Sequence, residues 1–372
     1  MKRENSFKTS ELMCACALMF LSPALRLIPE RTSRLCGKSA WISVLWALPI
    51  LLLYVLFLRR LTASADDGEG LASVMLRCLG DTAGRVVLLI FAVWFLIYCG
   101  FTMRIGANRM ITTVYTNASP ALFISVAAAL SLISALGSES RIMRFARLTV
   151  PTVAAILVLV LICASDELKA KNLLPLSGAE VLYSARGSFT AVDVAVLPMY
   201  LSLFLTSSKG SRTDGMELFV IGVTALAFWM NISVTGSFGA ELTARLTQPF
   251  FVLVRNIVVF RTVERLEAVV VSLWVFSDFI LTSVCLCVSS STVRLCMGKR
   301  CTYEGEKALD VNNGRWVIWL CVLFAAVFAL VFAPTQDILT LWSEKIIPYT
   351  NLILAFVLLP TVYLVGKFRK TL

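Results

Sequence analysis

Long unbroken apolar runs, separated by short and mostly basic connectors, make up this chain. A hydrocarbon core of about 30 Å needs roughly 20 apolar residues in helical form. Ten runs meet that length, at 10–28, 39–58, 85–113, 118–136, 148–165, 189–207, 216–236, 267–293, 316–334 and 346–366. The pattern predicts an all-α polytopic membrane protein with ten transmembrane helices. The third and eighth runs are longer than the bilayer requires, which predicts tilted or protruding helices. The first run follows Lys2, Arg3 and Lys8, but its far end, Pro23-Ala-Leu-Arg26-Leu-Ile-Pro29, has no small-x-small cleavage site. It reads as a span rather than a signal peptide.

Composition narrows the function classes. Hydrophobic residues make up 58% of the chain and charged ones 15%, too apolar a balance for a soluble enzyme or a disordered chain. Histidine is absent, which removes imidazole bases and His-ligated metals. No GxxxxGK[ST] phosphate loop occurs, so the chain does not hydrolyse ATP by that machinery. Most of the 11 Cys lie inside apolar runs, where Cys acts as a small hydrophobe. An enzyme, a metal site and a cofactor are not expected.

The net charge of +11 changes the picture only through its placement. Ten spans put both termini on one side. Taking that side as cytoplasmic, its segments carry twenty of the 34 Lys and Arg, which favours cytoplasmic N- and C-termini. Topology accounts for the basic residues, so nucleic acid is not an expected partner. The exception is 237–266, with Arg245, Arg255, Arg261 and Arg265. That segment is too long for a tight turn and holds the amphipathic stretch Gln248-Pro-Phe-Phe-Val-Leu-Val-Arg255. It predicts a short helix on the extracytoplasmic face, either a lid or a packed surface helix.

Ten spans divide into five plus five, 1–165 and 189–366, within a single transmembrane domain over 1–372. Many secondary transporters are inverted repeats whose corresponding first helices are broken at the midplane. Span one has Ser22-Pro23 near its middle, and span six has Pro198 with Asp193 just before it. Proline removes a backbone donor and kinks a helix. Pro23 and Pro198 are therefore the expected breaks in helices one and six. Asp193 and Asp278 are the deepest acids, and each reads as a possible ion or proton site or as half of a buried Asp–Arg pair. Arg26, Arg104 and Arg109, also in or near spans, read as structural.

The stretch Gln248-Pro-Phe-Phe-Val-Leu-Val-Arg255-Asn-Ile, then Val263-Glu-Arg-Leu-Glu267-Ala and Trp274-Val-Phe, resembles the spore germination permeases. In that family a Pro and an Arg-Ile pair precede a Leu-Glu and a Trp that open span eight. Leu27-Ile-Pro29 with Ala40-Trp-Ile-Ser43, and Asn117-Ala-Ser-Pro120, are weaker echoes. Ser22-Pro23-Ala24 stands where family members commonly have Gly, and Ser39 where they often have Asp. The resemblance implies an amino acid/polyamine/organocation permease fold, LeuT-like, with ten helices. It implies a B-type subunit of a spore germinant receptor in the inner membrane of the spore. Such subunits work with an A-type membrane subunit and a C-type lipoprotein, and sense a small nutrient, typically an amino acid. An ion-coupled amino-acid transporter acting alone and a structural scaffold for partner subunits are the alternatives.

An amino-acid zwitterion needs donors for its carboxylate and acceptors for its ammonium, and half-helix ends supply both. The expected donors are the N–H groups of Ala24 and Leu25, capped by the Ser22 hydroxyl. The expected acceptors are carbonyls near Val194 and Leu197, freed by Pro198. Spans three and eight wall the pocket in folds of the resembled kind, which nominates Tyr98, Ser277 and Thr282. The Ser277–Thr282 spacing of five suits one helix face poorly, so only one is expected to face in. Arg255 or Glu267 is expected to pin the outer helix by a charge-assisted bond.

Overall fold

The computed structural model describes residues 7–63, 69–113, 115, 117–174, 176–205, 208–209, 213–256, 266–297, 315–331 and 335–369. Helices overlap all ten predicted runs: α1 (Thr9–Cys36), α2 (Ala40–Thr62), α4 (Asp81–Thr113), α5 (Pro120–Ala135), α6 (Glu139–Ala164), α8 (Ser188–Ser202), α9 (Met216–Phe238), α12 (Leu266–Cys296), α13 (Arg315–Val331) and a last run made of α14 (Gln336–Leu341), α15 (Ile347–Ile353) and α16 (Leu359–Phe368). Four shorter helices lie between them: α3 (Leu71–Leu79), α7 (Gly178–Tyr183), α10 (Ala240–Arg245) and α11 (Pro249–Asn256). Among the described residues, six stretches are long and apolar enough to cross a membrane, with α1 and α2 forming one of them, and α5 and α13 are shorter apolar helices. Leu53, Ile133, Leu148 and Leu218 are outward-facing and exposed, as a lipid-facing surface requires.

Chain contacts place both described ends at the same end of the bundle. Phe7–Lys8 (β1) pairs in parallel with Ser208–Lys209 (β2), just after α8. The same stretch after α8 accepts at Leu203 O from Leu71 N, at the start of α3. The end of α3 in turn accepts at Leu79 O from Arg369 Nη1. At the opposite end Gly37, with φ 58°, breaks α1 and lets the chain reverse into α2. Ser177 caps α7 there, and its N–H and hydroxyl hold the Glu180 carboxyl below the usual carboxylate range. Gly100 lets α4 lie against α13, since a Cβ there would meet Ala325 O at 2.5 Å.

The expected breaks take a milder form than predicted. Helix α1 runs unbroken through Pro23 and Pro29, and α8 runs through Pro198 to Ser202. No unwound segment separates half-helices at Ser22-Pro23. A side chain from another helix joins the α1 backbone there instead. Ser277 Oγ of α12 accepts from Ser22 N at 2.8 Å and donates to Leu18 O at 2.5 Å, bridging the two groups of an i→i−4 pair. A hydroxyl can do this because it donates and accepts at once.

Two boundaries also move. Helix α6 starts nine residues before the predicted span, so Arg141, Arg144 and Arg147 ride on helix rather than in a loop. The last run begins ten residues early and carries two π turns, Trp342–Ile346 and Leu354–Leu358. Each ends two residues before a proline, Pro348 or Pro360. A proline ring clashes with the carbonyl four residues back and leaves it unpaired. Each wider turn is closed by an i→i−5 bond on the residue just before the proline, Ile347 N to Trp342 O and Leu359 N to Leu354 O.

Candidate functional site

Helices α1, α4 and α12 meet around a buried ion pair. Arg109 of α4 donates from Nη1 to Asp278 Oδ2 of α12 at 3.2 Å and from Nη2 to Ser22 Oγ of α1 at 3.1 Å. Its guanidinium lies over the Trp274 ring, 4.4 Å from the centroid, and Trp274 packs on Phe251 of α11 at 5.6 Å. A short helix is therefore present where the 248–255 pattern predicts one, and it covers the pair through two aromatic rings. Arginine suits this place because its flat, weakly hydrated cation stacks on an indole while its fork bonds carboxylate and hydroxyl. The Arg109 side chain is 2% exposed and that of Asp278 17%. A buried cation and a partly buried acid are held there because they are paired.

The pair borders a cavity of about 20 Å³ lined by Ser22, Arg26, Tyr98, Arg109 and Asp278, among others. That is room for about one water. Arg26 donates across the far side to Ser343 Oγ at 2.9 Å, and Arg31 donates to the Ser343 carbonyl and, at 3.2 Å, to its hydroxyl. Ser343 lies in the first π turn of the last run. Two arginines thus bond neutral oxygens, while Arg109 holds the acid.

A second polar cluster sits on the face of α8 toward the last run. Asn351, between the two π turns, accepts at Oδ1 from Trp94 Nε1 at 3.0 Å and from Tyr200 Oη at 3.3 Å. Its Nδ2 donates to Asp193 Oδ1 at 2.9 Å. Two donors face Oδ1, so the amide has one orientation that satisfies all three neighbours. All four residues are buried.

Of the predicted site residues, Ser22, Pro23, Tyr98 and Asp278 come together around the first cavity. Others are placed differently. The Ser22 hydroxyl accepts from Arg109 and does not cap Ala24 and Leu25, whose N–H groups belong to the continuous α1. Pro198 frees the carbonyl of Val194, four residues back, whereas that of Leu197 lies opposite Leu201 N within α8. Ser277 faces α1, and Thr282 faces α5, where its hydroxyl pairs with Ser131 at 2.9 Å. Asp278 takes the paired one of its two readings, with Arg109 as partner. Asp193 is held by an amide. The side chain of Glu267 lies outside the described residues, as do Glu264 and Arg265, so its pairing with Arg255 falls there too.

The sequence reading missed the site roles of Arg109 and Arg26 and all of Ser343 and Asn351. In-span arginines were visible, but Arg109 and Asp278 are 169 positions apart and nothing local joins them. A lone Asn in an apolar run gives no periodic signal. The prolines that flank it were the available cue.

Similarity to known proteins adds the fold family. The chain is similar to a Na+-coupled sialic acid symporter, solved substrate-bound in an outward-open state, with TM-score 0.60 and 11% identity over 93% of this chain and 79% of that one. At that identity the likeness speaks for the fold, which is the LeuT-like transporter fold expected from the five-plus-five pattern. No curated protein sequence matches the chain. A family model described as "Spore germination protein" matches residues 15–300, which include Ser22, Arg109 and Asp278.

Proposed function

The chain belongs to the spore germination protein family, and from that premise we propose that it is the permease-like subunit of a germinant receptor and binds an amino acid at the Arg109–Asp278 pair. The family and fold are those of permeases rather than enzymes, and the chain is a multi-pass membrane protein. One observation carries the ligand class: a cation and an anion, 3.2 Å apart, border a cavity too small for anything but water. A zwitterion can replace each partner of that pair with its own opposite charge. Its carboxylate takes the Arg109 fork with Arg26 alongside, and its ammonium takes Asp278. No buried charge is left unpaired at the end of the exchange. Entry requires α11 and the Trp274 ring to move off Arg109, so we assign α11 the role of lid.

The A-type membrane subunit and C-type lipoprotein are the proposed partners, and the spore inner membrane the proposed site. Ser22→Leu and Tyr98→Ala are expected to raise the amino-acid concentration for half-maximal germination at least tenfold, with subunit level unchanged. An unshifted dose response for both, at normal abundance, would remove this site. Proteoliposomes holding the chain alone are expected to show no accumulation of labelled amino acid; uptake would favour the lone transporter.

Orientation has its own test. With native thiols blocked, a cysteine at Ala179, exposed on α7, is expected to react with an impermeant reagent added to intact cells. One at Thr82, exposed at the start of α4, is expected to react only after the membrane is opened. The reverse pattern would put both termini outside.

A further inference from the structure

A second and larger cavity, about 140 Å³, opens between α4, α5 and α12. Its walls are apolar, with Met110, Phe123, Ala127 and Phe279 among them. Its floor is Thr102, Arg109 and Asp278, the three residues it shares with the first cavity. The ion pair is thus the partition between a small space of mixed lining and a roomy, mostly apolar one. Gly106 keeps the passage beside Asp278 open, since a Cβ there would stand 3.3 Å from Asp278 Oδ2.

We propose that the two cavities are head and tail subsites of one ligand site, and that the tail subsite takes the side chain of an apolar α-amino acid of isobutyl to benzyl size. The proposal rests on the amino-acid reading above and adds which amino acids. Size supports it: an engineered dry cavity of about 150 Å³ in another protein accepts benzene. Placement supports it too. When a zwitterion takes over Arg109 and Asp278, its α-carbon stands at the former partition, and the direction with room for a side chain leads into the second cavity, about 140 Å³ against about 20 Å³. The mouth carries Val126 and Leu130, about half exposed toward lipid. A lipid acyl chain is the competing occupant. It offers nothing to the Arg109, Asp278 and Thr102 side chains at the floor, whereas an amino acid uses the charged two of these.

The test is a titration of spores whose only functional receptor contains this chain, with alanine, valine, leucine and phenylalanine as germinants. Each methylene buried in the tail subsite is expected to strengthen binding about fourfold, so leucine acts at concentrations at least tenfold below alanine. Ala127→Phe fills the tail subsite and is expected to raise the leucine-to-alanine ratio of half-maximal concentrations at least tenfold. Ala127→Val, a smaller filling, is expected to raise it less and guards against misfolding of the larger variant. A ratio unchanged in both variants at normal subunit abundance overturns the tail subsite while leaving the head subsite standing. So does an unchanged ratio accompanied by loss of a co-purifying phospholipid, which gives the cavity to lipid. Failure of all four amino acids to trigger germination overturns the amino-acid reading itself.

Discussion

Arg109→Ala is expected to destabilise the subunit by about 3 kcal/mol, the lower part of the range for a broken buried pair, and to abolish the germination response. The loss arises less from the attraction removed than from the carboxylate left behind. Asp278 would stand without the cation its site is built around, and an unpaired charge and a forced protonation are both costly there. Ser22 Oγ and the Trp274 face lose their partner at the same time. Thermal unfolding of the purified subunit in detergent reads the stability, and spore germination reads the function. The double variant Arg109→Met with Asp278→Leu is expected to regain most of the stability, because apolar residues of similar volume often replace a buried pair at no cost. It should remain unresponsive. A stable Arg109→Ala protein would deny the pair its structural weight, and a double variant that germinates normally would deny it the ligand.

Asn351→Leu is expected to cost at least as much, by a different route. The side chain is of similar size, so packing changes little, but three buried polar groups lose their partner: Trp94 Nε1, Tyr200 Oη and the Asp193 carboxylate. Each orphaned group costs about 1–3 kcal/mol, more when charged, so the total is about 3 kcal/mol or above. Asn351→Asp should be worse still at neutral pH, since it sets a second carboxylate against Asp193 at hydrogen-bond distance. Adding Asp193→Asn to that variant should restore stability, because an amide can then donate to the new carboxylate. If Asn351→Leu unfolds at the same temperature as the parent, the network is not what joins α4, α8 and the last run.

Much of the architecture could be read from hydropathy, because lipid leaves a helix no other way to satisfy its backbone. The ten runs and the outer helix at 249–256 followed from apolar length and amphipathic spacing. What hydropathy measures is solvent, not helix. The first nine residues of α6 contain three arginines, and residues 337–345 contain Asp337, Glu344 and Lys345, so both stretches read as loop and fold as helix. The site was half visible for a related reason. Ser22, Tyr98 and Asp278 stood out as polar residues in apolar surroundings, and the resemblance pointed to spans three and eight. Their partners did not, since Arg109 looks like any interfacial arginine until Asp278 is seen beside it. Proline marked the right places but overstated the effect: at Ser22-Pro23 a hydroxyl from another helix takes up the slack that unwinding would otherwise relieve.

That borrowed hydroxyl makes α1 and α12 a reversible splice. While they touch, Leu18 and Ser22 are joined through Ser277. If α12 withdraws, the two backbone groups remain free to join each other within α1. Ser277 then returns to a carbonyl of its own helix, as Ser272 and Thr282 already do. None of these three groups is stranded on either side of the exchange, so at this contact parting the helices trades one set of hydrogen bonds for another. A membrane interior penalises motion that exposes backbone, and at this crossing the penalty is cancelled by a single serine.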